Sequence, residues 1–410
     1  MNCRHCHKEL THVFADLVYS PISNAMLNAE QLNQPEAYYP LKLFVCDNCF
    51  LVQVDEMEKA DSIFDAEYTY FSSFSSSLLA HSKKYVKMMV DRFGFNQNSQ
   101  VIEIASNDGY LLQYFKNIGV PVLGFDPTAN TAAAAAEKGI ETIVEFFGEE
   151  TATTLLKDKN LKADLIIGNN VLAHVPDIND FVKGMKIALK ATGVITMEFP
   201  HLMKLVDDCL FDLIYHEHFS YLSFTTVKTI FEKQGLEMFD VDEIPTHGGS
   251  LRIYAKHKND TTKEINPNVY QLLDREKEAG VTTLDYYKGF QERIDNIKYD
   301  TWTFLIEQKK LGKKVAGYGA AAKGNTLFNF CGLKGTDLVE FVVDASPHKQ
   351  NKFLPGSHIP VVPEEQLKNA KPDFVIIIPW NLKSEISNQL AYIREWGGQF
   401  VIFVPETVVF

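Results

Sequence analysis

Along most of the chain, short apolar runs alternate with stretches whose apolar residues recur every three to four positions. Residues 77–93 (SLLAHSKKYVKMMVDRF) carry that helical spacing. VIEIA at 101–105 has the length and branched content of a buried strand. SNDG at 106–109 reads as a turn, and YLLQYF at 110–115 starts a helix. PVLGFDPTAN (121–130), ADLIIGNNVLAHV (163–175) and GVITMEFP (193–200) repeat the strand-then-loop pattern. Strands alternating with helices predict a mostly parallel, doubly wound sheet. RIYAKHK (252–258) reads as a further strand after a His-Gly-Gly-Ser turn, and 263–311 reads as helical. The rhythm then restarts. KKVAGYGAAAKGNTLFNF (313–330) predicts strand, glycine turn and helix, and LVEFVVDASPHKQ (338–350) a strand ending in Asp344. PDFVIIIPW (372–380) and GQFVIFVP (398–405) predict two more buried strands.

The pattern therefore predicts an α/β protein with two Rossmann-like domains, at 71–245 and 246–410, behind a small module at 1–70. That module is too small for a good core of its own. It carries Cys3 and Cys6 as one Cys-x-x-Cys pair and Cys46 and Cys49 as another. KLFVCDNCFLVQV (42–54) reads as strand, knuckle, strand. Two such pairs match the ligand set of a tetrahedral zinc site, because each places two thiolates on one tight turn. Four thiolates leave no open coordination position, so the zinc is expected to be structural and to supply folding energy. His5 and His7 are expected to be bystanders.

A length of 410 residues exceeds one ordinary core. The net charge of −13 argues against gripping nucleic acid or an anionic membrane by bulk charge. No apolar run is long enough to span a bilayer, and MNCRHCHKEL lacks the apolar core of a signal peptide. A reducing, cytoplasmic setting is expected.

Candidate chemistry sits at the strand ends. Glu103 to Gly109 covers the end of one strand and its turn, and Asp126 ends the next, where a carboxylate can accept ribose hydroxyls. The turn has one glycine and no cluster of phosphate-binding groups, which favours S-adenosylmethionine over a dinucleotide. The later Gly317-Tyr-Gly-Ala-Ala-Ala stretch, with Asp344 beyond it, fits a looser dinucleotide fingerprint. It leaves open an NAD-dependent sugar oxidoreductase, or a nucleotide-binding zinc-module protein without chemistry. IYHEHFSYLS (214–223) is not a zinc-protease helix, because Ser220 stands where the second histidine, four residues after His216, is required. As a regular strand it would send Tyr215 and Glu217 to one face and His216 and His218 to the other.

Seven blocks point further: the two cysteine pairs, YTYFSSFSSS (68–77), EIASNDGYLL (103–112), GNNVLAHVPDINDF (168–181), IYHEHFSYLS, HGGSLR (247–252) and GYGAAAKGNTLFN (317–329). In this order, and over nearly the whole chain, they resemble the S-adenosylmethionine-dependent C-3′-methyltransferases of nucleotide-linked 4-keto-deoxysugars. The resemblance implies a zinc-binding N-terminal domain, a methyltransferase domain and a Rossmann-like nucleotide-sugar domain. It implies S-adenosylmethionine and structural zinc as cofactors and a nucleotide-linked 4-keto-deoxysugar as substrate; a monomer without nucleic-acid or membrane partners is expected.

It also carries roles onto residues. Tyr215, Glu217, His218 and His174 become the catalytic set, with Tyr70 (or Tyr68) beside them. His218 is the expected base. Tyr215 and Glu217 orient it or contact the sugar, and His174 holds or polarises the substrate. A carboxylate bonded to the base would fix its tautomer. Glu103, Ser106, Asn107, Asp108 and Gly109 face the methionine end of the cofactor, Asp126 its ribose and Asn169 its methyl-bearing end. Phe147 is a candidate to stack on adenine, and Phe125 can be core. The expected substrate contacts are His247, Gly248, Gly249, Ser250, Arg252, Gly319, Lys323 and Asn325, although Arg252 can instead pair with a neighbouring acid. If Tyr215, Glu217 and His218 share a pocket, a bend or helical turn near Glu217 is required.

Overall fold

The structure, a computed structural model, describes residues 1–57 and 70–410; Tyr68 lies outside the described residues. Three sheets organise it. The first is antiparallel, with His12–Ser20, Tyr39–Val45 and Val52–Val54 paired in chain order. Its fourth strand is Ser220–Tyr221, from the far end of the histidine-rich stretch. The predicted strand–knuckle–strand around Cys46 and Cys49 is the second and third strands of this sheet.

The second sheet has seven strands. Val101–Ile104 lies near the middle, flanked by Val122–Phe125 and Thr142–Ile143 on one side and by Ala163–Asn169 and Leu189–Pro200 on the other, all parallel. Ser250–His257 inserts antiparallel between Leu189–Pro200 and Leu236–Ile244. By sheet membership this unit runs to His257, past the expected boundary at 245. The turn at 246–249 folds the chain straight back into the sheet, so the strand after it completes the second sheet.

The third sheet is the second doubly wound unit. Val315–Tyr318 is central, with Val342–Val343 and Val361–Val362 on one side and Phe374–Ile377 and Gln399–Ile402 on the other, closed by antiparallel Val408–Val409.

The helices follow the predicted periods. Ser76–Phe93 starts where Ser75 Oγ accepts the Leu78 N–H at 3.2 Å and ends where Gly94 takes a φ of 72°. The helical stretch at 263–311 resolves into Pro267–Ala279 and Phe290–Lys310. No helix among the described residues is long and apolar enough to cross a membrane.

One buried carboxylate ties the segments flanking the histidine-rich stretch. Glu276 is fully buried on Pro267–Ala279. It pairs with His201 Nε2 at 2.7 Å and accepts the backbone N–H groups of Phe224 and Thr225, each at 2.7 Å. Burial opposes its ionisation, but the His201 bond and charge together with the Thr225 donors outweigh burial and hold its pKa below the usual carboxylate value. Glu276→Ala strands His201 and two helix N-terminal donors in the interior, which should cost about 3–5 kcal/mol. Urea unfolding of the two proteins checks this. Because the folded pKa is depressed, the stabilisation is full above the unfolded carboxyl pKa and fades as pH falls through the folded one.

Candidate active site

A cavity of about 800 Å³ opens at the carboxyl ends of the central strands of the second sheet. This is where doubly wound sheets bind ligands. Ala105 and Asn107 take φ of 56° and 49°, and Gly109 a φ of 73°, so the SNDG turn doubles back sharply. A side chain on Gly109 would strike Ile140. Asn107 N–H donates to Asp126 Oδ2 at 2.8 Å, locking the ends of two neighbouring strands together. The turn also anchors the serine-rich stretch: Ser72 N–H donates to Asn107 Oδ1 at 2.9 Å and Asn107 Nδ2 to the Tyr70 carbonyl at 3.0 Å.

Asn107, Asp126, Asn169, Phe125 and Phe147 line the cavity. Glu103, Ser106 and Asp108 are buried beneath its floor. Glu103 has only the Tyr110 hydroxyl and the Leu112 backbone near its carboxylate, neither in full hydrogen-bond geometry, and Asn169 Oδ1 has no hydrogen-bond partner among the described residues. Burial, reinforced by Asp126 and Asp108, drives the Glu103 pKa well up. Two buried carboxyl groups with orphaned oxygens, Glu103 and Asp108, beside Asp126, fit a cationic cofactor, as S-adenosylmethionine is. Asp126 is more committed than expected, since it also accepts from Thr128 N–H and Thr131 Oγ1, each at 3.0 Å. Phe147 meets Phe125 edge-on with ring centres 5.1 Å apart, so its ring is shared between core and cavity.

The histidine-rich stretch contains the turn that a shared pocket requires: His218 N–H bonds the Tyr215 carbonyl at 3.0 Å. This brings Tyr215 and His218 ring to ring, with centres 4.0 Å apart. Tyr215 Oη lies 2.8 Å from His218 Nε2, and His218 Nδ1 lies 2.8 Å from the Leu213 carbonyl. A carbonyl only accepts, so Nδ1 carries the proton and Nε2 accepts from the tyrosine. The expected carboxylate partner of His218 is therefore replaced by a backbone carbonyl. Glu217 turns away to accept from Asn24 Nδ2 at 2.6 Å. His216, which has no expected role, lies with Nε2 3.1 Å from the Pro40 carbonyl.

His174 lines the cavity and packs edge-on against His218, with ring centres 4.6 Å apart. Tyr70 also lines the cavity, half exposed. Burial holds His174 at about 4, and burial followed by the neighbouring His174 drives His218 well below the usual imidazole value. Both rings are neutral at neutral pH.

The expected substrate contacts divide. His247 and Ser250 line the cavity, and burial followed by the charge of Lys323 holds His247 at about 4. Gly248 must be glycine, because a side chain there would collide with Trp380. Arg252 lies under the wall, paired with Glu198 at 2.6 Å. Lys323 donates to Asn381 Oδ1 at 2.9 Å and sits 4.6 Å over the Trp380 ring. Asn325 Nδ2 donates to the Ser23 carbonyl.

The second glycine turn is closed from within. Gly319 N–H bonds the Val343 carbonyl at 2.7 Å, and Ala320 N–H bonds Asp344 Oδ2 at 2.8 Å. The acid that would receive a dinucleotide ribose is spent bracing its own turn.

Sequence reasoning missed Glu198 and His81, which both line the cavity and bond at 2.9 Å. Burial opposes ionisation of Glu198, but His81 and Arg252 outweigh it and keep its pKa low. Glu198 ends a predicted strand in MEFP, so the rule that singled out Asp126 would have found it.

In the N-terminal module, the sulfur atoms of Cys3, Cys6, Cys46 and Cys49 all lie within 4.8 Å of one another. Tetrahedral zinc–thiolate geometry sets such edges at about 3.8 Å, so the four fit one zinc ion. Gln53 Nε2 donates to Cys3 Sγ at 3.3 Å, an outer-shell bond that steadies a thiolate. His5 Nδ1 is 2.8 Å from Asn179 Oδ1, and His7 is exposed.

Two outcomes are expected. Cys46→Ser should lose zinc, read by metal analysis, and lower the thermal midpoint; unchanged stoichiometry would contradict the site. Glu103→Gln should weaken S-adenosylmethionine binding roughly 10- to 100-fold in calorimetry, the worth of one charged hydrogen bond. A cation that ionises a protonated Glu103 releases a proton, so wild-type affinity should rise with pH and the variant's should rise less.

Known proteins share this plan. Residues 3–64 match the family model "Putative zinc binding domain", residues 79–241 "Methyltransferase domain" and residues 245–405 "C-methyltransferase C-terminal domain". The chain is 34% identical over 391 residues to the C-methyltransferase NovU of Streptomyces niveus, covering 94% of this chain and 91% of NovU. A ubiquinone biosynthesis O-methyltransferase of Bartonella bacilliformis is 24% identical over 125 residues, covering 30% of this chain and 50% of its own. Among solved structures, a SAM-dependent methyltransferase from Anabaena variabilis has 15% identity and a TM-score of 0.36, covering 50% of this chain and 99% of its own. The cofactors are S-adenosylmethionine and a structural zinc ion. The chain belongs to the C-methyltransferase family that includes NovU.

Proposed function

We propose that the protein methylates C3 of a nucleotide-linked 4-keto-deoxysugar. The observation that carries the reading is the relay from Tyr215 Oη through His218 to the Leu213 carbonyl, packed against His174 at the cavity wall. The sugar class follows from the seven sequence blocks, and the relay supplies the chemistry that such a sugar needs.

A ketone at C4 makes the C3 hydrogen acidic. Removing that proton sends the C3–H electron pair into an enolate, with negative charge on the C4 oxygen. His218 is the proton sink, because Nδ1–H is committed to a carbonyl and the Nε2 lone pair already accepts from Tyr215 Oη. Tyr215, less buried than His218, is the atom-to-atom bridge between that lone pair and the sugar. It passes its proton inward as it takes one from C3. Neutral His174 gives its one ring N–H to the Glu217 backbone and helps hold the substrate at the cavity wall without carrying a competing charge of its own. Bound S-adenosylmethionine supplies an electrophilic methyl group, which C3 attacks as the carbon–sulfur pair stays on sulfur.

The turn at 246–250, with His247 and Ser250 at the cavity, and the neighbouring Asn381 form the side from which the nucleotide-linked part of the substrate enters. The second glycine turn has its amides occupied, which weighs against an NAD-dependent oxidoreductase.

Incubation of the ketosugar nucleotide in D₂O should wash the C3 hydrogen into solvent, read by proton NMR. His218→Asn and Tyr215→Phe should each slow the exchange by about 10²–10⁴-fold, the usual worth of a positioned proton-transfer group. Both variants should still bind S-adenosylmethionine. Exchange that survives both substitutions removes the relay from the mechanism, and hydride transfer to NAD without methyl transfer removes the reading.

A further inference from the structure

The loop after strand His12–Ser20 leaves the cysteine module and reaches the turn that holds His218. There Asn24 Nδ2 donates to Glu217 Oε2 at 2.6 Å, and the backbone of Asn24 faces the same carboxylate. Glu217 is only 2% exposed, and its Oε1 has no hydrogen-bond partner among the described residues. A half-satisfied carboxylate at that depth is costly, and such groups concentrate where a ligand completes the bonding.

The loop is clamped from its far side by the C-terminal unit. Asn325 Nδ2 donates to the Ser23 carbonyl, and Leu27 and Phe353 exchange backbone hydrogen bonds of 3.0 and 2.7 Å. Thr326 Oγ1 donates to the Ile214 carbonyl at 2.7 Å, one residue before Tyr215. Three parts of the chain thus converge on one carboxylate. The titratable and charged groups around it are few. His216 and His218 are its chain neighbours, His174 bonds its backbone, and Lys349 acts from the C-terminal unit. Lys349 itself donates to the Ala320 carbonyl at 2.8 Å.

We propose that Asn24 is a positioning residue for the methyl transfer: its amide holds the Glu217 carboxylate ionised and oriented, leaving Oε1 to accept from a hydroxyl or amine of the bound substrate. This rests on the function proposed above. The module at the N-terminus then does more than fold around zinc, because it delivers a donor to the carboxylate beside His218. An amide suits the task. It donates strongly to a carboxylate and has no proton of its own to lose near neutral pH. Burial raises the Glu217 pKa to about 7, and the Asn24 bonds oppose that rise. Loss of the donor therefore pushes the pKa further up and protonates Glu217 at working pH.

The test is a carboxyl titration in the zinc-loaded full chain carrying ¹³C-labelled glutamate, with the Glu217 signal assigned by Glu217→Gln. In Asn24→Ala the midpoint should move up by about one to two pH units, a roughly 10- to 100-fold change in proton affinity. Zinc content and thermal midpoint should stay unchanged. Asn24→Asp, which keeps the side-chain shape, should also move it up, and serves if the alanine variant does not fold. The acidic limb of the kcat profile should shift upward in step, with KM for S-adenosylmethionine unmoved. A Glu217 titration that stays in place in both variants overturns the proposal, as does a shift that appears only with zinc loss. If wild-type protein fails to methylate the ketosugar, the function proposed above falls, while the titration still decides Asn24 by itself.

Discussion

Two residues, Ser220 and Tyr221, add a strand to the sheet of the cysteine module by pairing with Val52 and Gln53. That pairing fixes the position of the turn at 215–218. The turn cannot move without unpairing a strand in a module whose fold depends on a metal. The same core contains Phe14 and Leu43 of the module, Phe211, Ile214 and Phe219 around the turn, and Leu327 and Phe328 of the C-terminal helix. A proton relay needs fixed distances. Here the distances are set by hydrophobic packing among parts of the chain that are remote in sequence, with zinc securing the part least able to fold alone.

The electrostatics follow from that burial. His174, His218 and His247 are all held in the neutral form chiefly by desolvation, and Lys323 is also weakened by burial. A neutral imidazole is the form that can accept a proton, so the low pKa values suit the proposed relay across the neutral range. The cost is a weaker base. That cost is tolerable when the acidity of the substrate carbon comes from an adjacent ketone and from donors near its oxygen. The cofactor end shows the opposite arrangement. Glu103, Asp108 and Asp126 gather at the strand ends, where a cationic ligand offsets their mutual repulsion.

Much of the scaffold was legible because its signals are local. Apolar runs give the strands of both doubly wound sheets, and paired cysteines give the metal site. Positive φ at Ala105 and Asn107 belongs to a turn that SNDG announces. What was not legible depended on pairing between distant segments. Nothing in RIYAKHK says that Ser250–His257 joins the sheet before it rather than the unit after it. That choice is made by the ladder with Leu189–Pro200. The type and spacing of Tyr215, Glu217 and His218 suggested a catalytic group. The actual partners, Leu213 carbonyl for His218 and Asn24 for Glu217, are fixed by a turn and by a loop from another module. Glu198, near the end of its strand as Asp126 is of its own, is within reach of the same strand-end rule.

The second glycine turn shows why a motif needs its donors counted. Gly-x-Gly-x-x-Ala specifies backbone shape: a chain that turns tightly enough for a helix to pack on a strand. Anion binding requires in addition that the amides of that turn point at nothing else. Here the Gly319 and Ala320 N–H groups bond the Val343 carbonyl and Asp344, and the Lys349 side chain covers the Ala320 carbonyl. The residues of the following helix face inward: Lys323 to Asn381 and Trp380, Asn325 to Ser23, Thr326 to Ile214. The fold that elsewhere cradles a dinucleotide is used here as a buttress. Its helix presses the N-terminal loop and the turn at 215–218 into contact, which is a geometric task that the same glycines serve equally well.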